Sequence, residues 1–239
     1  MPGDGDGDPM PGDGDGDDSS TGDGDGDEEP FPDLPPANVL LLGDGVYDDT
    51  IIAALEGMGH TVTLGGNYWE WNNNPEVGGF DVVVYIEIGE SGGGLRPMAR
   101  NAVADFLMDG GALIRTEWAA FSLSNPAEHI DVFLPVRSPL LGFEYSTTWS
   151  VVDPAHPLTK DVPAGFVSPG GGCSVVEAEP GATVIFTSDL CGPALTFREV
   201  GEGGHVIHIN DDFGGDQVAD PNPEILQLLD NAVRWSAAN

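Results

Sequence analysis

Two short apolar runs, NVLLL at 38–42 and VVVYI within FDVVVYIEI at 80–88, constrain the fold more than any other feature of this chain. A strand with one wet face alternates apolar and polar residues, whereas these runs are apolar at successive positions. They read as strands buried on both faces, the condition of a parallel sheet covered by helices. Gly43-Asp44-Gly45 turns the chain after the first run. Asp48 or Asp49 can then cap a helix with Ile51, Ile52, Leu55 and Met58 on one face, stopped by Gly57 and Gly59. TVTL (61–64) and ALIRT (112–116) supply further strands. Between them, 95–108 reads as a helix with Leu95, Met98, Ala102, Phe106 and Leu107 inward.

This β-α-β-β-α-β series predicts an open, mainly parallel sheet with helices on both faces. Residues 120–200 are richer in Pro and Gly and carry several short strands, an elaborated β-rich second half. GGHVIHIN (203–210) reads as a return strand to the main sheet. A last helix, about 223–237, turns Ile225, Leu228, Leu229, Ala232, Val233 and Trp235 inward. The expected organisation is one α/β domain over 37–239 behind a linker at 1–36.

The linker follows from charge. The 239-residue chain has 41 Asp and Glu against 7 Lys and Arg, a formal charge of −34. Residues 1–36 contain 13 of those acids, no Lys or Arg, and GDGDGD at 3–8, 12–17 and 22–27. Such a segment has little to bury and repels itself, so it reads as an extended spacer. Alternate Asp suggests the start of a calcium loop, but such loops need Gly after the third Asp, where this chain has Pro9, Asp18 and Glu28. The acidity argues against nucleic acid and anionic membranes as partners. No apolar run is long enough to span a bilayer, and MPGDGDGD lacks the basic start and apolar stretch of a signal peptide.

Several strings, in order, resemble the ThuA-like branch of the class I glutamine amidotransferase-like superfamily. They are NVLLLGDG, FDVVVY, FLMDGGALI, HPLTKDVPAGF (156–166), REVGEGGHVIHI (198–209) and LLDNAVRWSA (228–237). The resemblance implies a flavodoxin-like fold. It also implies a place to look for catalysis, because catalytic members of the superfamily carry a Cys nucleophile in the turn after a central strand and a His-x-Glu on a later strand. Here the turn reads Arg115-Thr116-Glu117-Trp118, and the later strand reads His208-Ile209-Asn210. Thiol chemistry lacks its nucleophile, and the His that ThuA-like relatives often place in the turn is absent too.

In open parallel sheets ligands bind beyond the carboxyl ends of the strands. That position collects Asp44 and Tyr47 after the first strand, Glu87 and Glu90 after the third, Glu117 and Trp118 after the fourth, and Asn210, Asp211 and Asp212 after His208. Crowded carboxylates need a cation, a basic neighbour or raised pKa values. Glu87, Glu117, Asp211 and Asp212 are therefore candidate ligands for calcium or magnesium. Alternatively, Glu87, Glu117 and His208 form acid/base machinery for a hydrolase acting on carbohydrate. A third reading makes them solvated acids in a structural or assembly module.

NYWEWNNNP (67–75) sets Trp69 and Trp71 among amides, a composition suited to stacking on sugar rings, or else to pinning a loop to the sheet. Cys173 and Cys191 bracket a strand-turn-strand stretch and read as a disulfide, with two buried thiols as the alternative. A disulfide and an acidic spacer together favour an extracellular, cell-surface or periplasmic location. The expected function is a non-catalytic domain that binds a small polar molecule or glycan.

Overall fold

The computed structural model describes residues 31, 33–87, 94–122, 129–138, 142–213 and 221–239. Glu90 and the GDGDGD repeats lie outside the described residues. The parallel half of the main sheet is built from β1 (Asn38–Gly43), β2 (Thr61–Asn67), β3 (Val82–Tyr85), β4 (Ala112–Arg115) and β11 (Gly204–Ile209). Their spatial order is β2-β1-β3-β4-β11, with every neighbouring pair parallel. The order reverses between β1 and β3, which makes that gap the switch point of the sheet.

The apolar runs are buried on both faces, as their lack of alternation requires. Val39, Leu41, Val84 and Ile114 face one side, where α1 (Asp48–Gly57) and α4 (Pro223–Ala238) cover them with Ile51, Leu55, Leu228 and Ala232. Leu40, Leu42, Val83, Tyr85 and Leu113 face the other side, under Ala99, Val103 and Leu107 of α2 (Pro97–Met108).

Two local expectations are corrected. Tyr47 is the residue before α1 and caps nothing with its side chain; Asp48 and Asp49 sit in the first turn instead. The inner stripe of α2 runs through Ala99, Val103 and Leu107, and Met98 is 60% exposed. The helix begins at Pro97, so Met98 lies in its first turn and off the four-residue repeat that meets the sheet.

The second half adds β6 (Phe143–Val151), β7 (Gly165–Ser174), β9 (Thr183–Ser188) and β10 (Gly192–Val200), which continue the same sheet as β11-β10-β9-β6-β7, all antiparallel. β5 (Val136–Arg137) and β8 (Glu177–Ala178) form a separate pair, and a short helix, α3 (Glu117–Ser122), follows β4. Among the described residues no helix is long and apolar enough to cross a membrane.

The amino-terminal side of the domain is held down by a polar staple. Ala37 donates its backbone N–H to His60 Nδ1 at 2.9 Å, and the opposite ring nitrogen meets Asp230 at 2.7 Å. Arg234 donates to the same carboxylate at 2.9 Å and to the Leu34 carbonyl at 3.0 Å. Lys160 adds an ion pair with Asp33 at 2.7 Å.

Candidate functional site

The strand ends carry a row of polar side chains at one level. Tyr85 pairs in register with Arg115, Arg115 with His208, and His208 with Thr196, so all four project from the α2 face of the sheet. Arg115 is 1% exposed. Its Nη2 donates to Glu87 at 2.8 Å, and its guanidinium lies 3.7 Å from the centre of the Tyr85 ring. The Tyr85 hydroxyl donates to the other Glu87 oxygen at 3.3 Å. Glu87 is thus the counter-ion of a buried cation, which would be costly to leave unpaired. Asp131 stands near the same pair, its carboxyl pushed up by burial and pulled back by Arg115.

His208 is fully buried. Burial first, and Arg115 second, press its imidazole down to about 3, so it is neutral and a weak base at physiological pH. Sequence reasoning named the turn at 115–118 and missed Arg115 as its organiser. A charge ending a buried strand was the available signal, because such a charge must find a partner.

The remaining strand-end groups meet β7. Glu117, the first residue of α3, is 0% exposed. One of its carboxyl oxygens accepts from the Ser174 hydroxyl, and the other has no hydrogen-bond partner among the described residues. Burial raises Glu117 to about 8; Ser174 opposes the rise, and Asp212, Asp211 and Glu87 add to it. Asp211 is raised to about 7, again by burial, although it accepts from Ser168 Oγ at 2.6 Å and from the Phe213 N–H at 2.7 Å. Asp212 accepts from the Gly172 N–H at 2.7 Å. Asn210 brackets Ser174, accepting its N–H at 3.1 Å and donating to its carbonyl at 2.8 Å.

Such closeness needs glycine. A Cβ on Gly171 would sit 2.5 Å from Asp211 Oδ2, and one on Gly172 would sit 2.1 Å from the Phe143 ring. The run Pro169-Gly170-Gly171-Gly172 therefore lets β7 lie on the carboxylates. The next residue, Cys173, is bonded to Cys191 with an S–S distance of 1.98 Å, which decides between a disulfide and free thiols.

The candidate metal set does not converge. Glu87 is engaged by Arg115, Glu117 by Ser174, Asp211 by Ser168, and Asp212 by Gly172. Among the described residues no group of three or more His, Cys, Asp or Glu side chains is arranged to hold a metal ion.

An open cleft of about 290 Å³ lies elsewhere, at the carboxyl ends of β1 and β2. It is lined by Gly45, Val46, Tyr47, Asp48, Asp49, Thr50, Leu64, Gly66 and Asn67. Asp44 accepts from the Val46 N–H at 3.1 Å and shapes the turn at the cleft's edge. Asp48 folds back over the strand end: a Cβ on Gly43 would lie 1.9 Å from its Oδ1. Burial raises the Asp48 carboxyl.

The aromatic side chains of the 67–75 segment do not join this cleft, although Asn67 does. Trp71 is 2% exposed in the core under α2 and donates its indole N–H to the Pro75 carbonyl at 3.3 Å. It is a loop pin and offers no face to a sugar. Trp69 is half-buried and edge-on to Tyr68 at 4.8 Å, and Trp118 is half-buried 6.3 Å from Phe143.

No protein-family profile and no curated protein sequence matches the chain. Solved structures do match its fold. A cytoplasmic protein of Salmonella typhimurium superposes with a TM-score of 0.63 at 17% identity, over 83% of this chain and 98% of its own. A ThuA-like protein of Bacteroides uniformis does so with a TM-score of 0.61 at 15% identity, over 86% and 93%. A β-galactosidase of Bacillus circulans gives 0.55 at 13% identity, over 82% of this chain and 30% of the enzyme. With a parallel order of β2-β1-β3-β4-β11 and a superposition over nearly the whole length of a ThuA-like protein, this chain has the ThuA-like, flavodoxin-like fold.

Proposed function

We propose that this domain is a non-catalytic binding module for a small neutral polar molecule, with carbohydrate as the ligand class. The observation that carries the reading is a contrast between two places at the strand ends. The turn where the superfamily resemblance puts a nucleophile holds Glu117, sealed at 0% exposure, while the cleft beside Tyr47 is open to solvent. That cleft offers the Tyr47 ring, the Thr50 hydroxyl, the Asn67 amide and the Asp49 carboxylate, groups that accept from and donate to sugar hydroxyls. Its acids and the chain's overall charge disfavour anionic ligands.

In this reading the acidic GDGDGD segment ahead of the residues stapled at 33–37 serves as a tether. The Cys173–Cys191 disulfide supports an oxidising, extracytoplasmic setting. Calorimetry against a panel of mono- and disaccharides tests the binding. Saturable binding to at least one sugar, weakened about tenfold by Asn67→Ala or Asp49→Asn, is expected. Absence of binding across the panel, or binding indifferent to both substitutions, would overturn the reading.

One observation favours a carbohydrate hydrolase as a second reading: Glu117 is raised to about 8, the protonation state a general acid needs at neutral pH. Its test is turnover of a glycoside panel, abolished by Glu117→Gln.

A further inference from the structure

The open end of the β6–β7 hairpin carries a bulge, a feature that bends a strand. β6 pairs with β9 only through Trp149–Val151, so among the described residues its Phe143–Thr147 end pairs with β7 alone. At the bend the β6–β7 register slips between Tyr145 and Thr147, Ser146 takes φ 54°, and Gly170 takes φ 76°. The Gly170 N–H donates to Ser146 Oγ at 3.0 Å across the bend. Past it, the glycine-rich stretch of β7 lies on Glu117 and on the segment Asn210–Asp212, and this contact keeps those groups almost wholly out of solvent. Three of the four side chains that hold it there are carboxyls, and β7 brings no cation to meet them.

We propose that this bent hairpin end is a proton-operated cover over the ends of β4 and β11, fastened while Glu117 and Asp211 beneath it are neutral and loosened when they ionise. The charged and titratable groups around the fastening are almost all of one sign. Below it lie Glu117, Asp211 and Asp212, with Glu87 close enough to raise Glu117. Arg115 is paired with Glu87, and His208 beside it is neutral. From β6, Glu144 pairs across from Cys173. Ionising Glu117 and Asp211 therefore places like charges under one strand in a water-poor space, where repulsion is strong. Asn210 carries no charge to add to the repulsion, and the disulfide tethers the strand at Cys173, so the motion is a loosening about the Ser146–Gly170 bend while the domain stays folded.

Amide hydrogen exchange of the full chain at pH 6.0 and pH 8.5, corrected for the intrinsic pH dependence of exchange, tests the proposal. The Gly172 and Ser174 amides, which donate to Asp212 and Asn210, report the fastening directly. Their protection is expected to fall about tenfold or more at the higher pH, while β1 and β3 amides keep theirs. In Glu117→Gln with Asp211→Asn the fall should vanish. Glu117→Gln alone, which keeps an acceptor for Ser174, should halve the logarithmic change if the pair is too disruptive to fold. Protection at Gly172 and Ser174 that ignores pH, falls equally in the variants, or falls in step with β1 and β3 would overturn the proposal.

Discussion

Arg115 and Glu87 form an ion pair at 2.8 Å on the ends of neighbouring strands, with the guanidinium 1% exposed and stacked on Tyr85. The pair ties β4 to the end of β3, and the Glu87 N–H reinforces the tie by donating to Thr116 Oγ1 at 3.2 Å. It also shows how acids at the strand ends coexist: Glu87 meets a buried cation, whereas burial raises Glu117 and Asp211 towards their neutral forms.

Breaking that pair from one side should be costly. Glu87→Ala removes the carboxylate that pairs with a buried guanidinium and is expected to lower stability by about 3–5 kcal/mol in urea unfolding. Replacing both partners with apolar residues of similar size should cost much less. Equal losses in the single and double variants would show that the pair is only a spectator.

The contribution of Glu117 and Asp211 to stability should decline with rising pH. The folded-state values of Glu117, about 8, and Asp211, about 7, lie above those of an unfolded carboxyl, about 4. The folded protein therefore keeps protons that the unfolded chain has released. Their stabilising effect is complete below about pH 4 and is lost as the pH rises through about 7 and 8. Chemical denaturation at pH 5.5 and 8.5 should show Glu117→Gln gaining on the wild type at the higher pH. A constant difference between the two proteins at both values would contradict this linkage.

Reduction should weaken the fold without erasing it. The Cys173–Cys191 bond closes a short loop between β7 and the β9–β10 connection, and such closures contribute about 3 kcal/mol in the chain-entropy picture. Thermal melts with and without reductant should differ in that direction, and Cys173→Ser with Cys191→Ser should reproduce the reduced protein. Identical melts would mean that β7 is held wholly by its hydrogen bonds.

Trp71 and Asn67 should separate core from cleft. Trp71→Ala removes a buried ring and is expected to cost about 3–5 kcal/mol of stability. Asn67→Ala should leave stability nearly unchanged and reduce sugar binding. Calorimetry together with unfolding curves on both variants would reveal a reversal of these roles.

Much of the architecture was legible because it follows from local pattern. Apolar runs at 38–42 and 82–86 can be satisfied only between two helical layers, and GGHVIHIN joins them as β11 beside β4. The resemblance carried by short motifs pointed to the same sheet. The inner face of α2 was misread at Met98, which opens the helix and falls outside its repeat, whereas Leu95 just ahead of the helix is buried in the same core.

The sequence by itself determined the layered α/β fold, the strong acidity and which residues gather at the strand ends. Only the tertiary structure decided what those residues do there. Charge state and partnership depend on burial and on contacts between segments far apart in the chain, as when Ser174 reaches Glu117 across 57 positions and Gly172 reaches Asp212 across 40. Composition records that a carboxyl is present, whereas the solvent and neighbours that set its proton come from the folded chain.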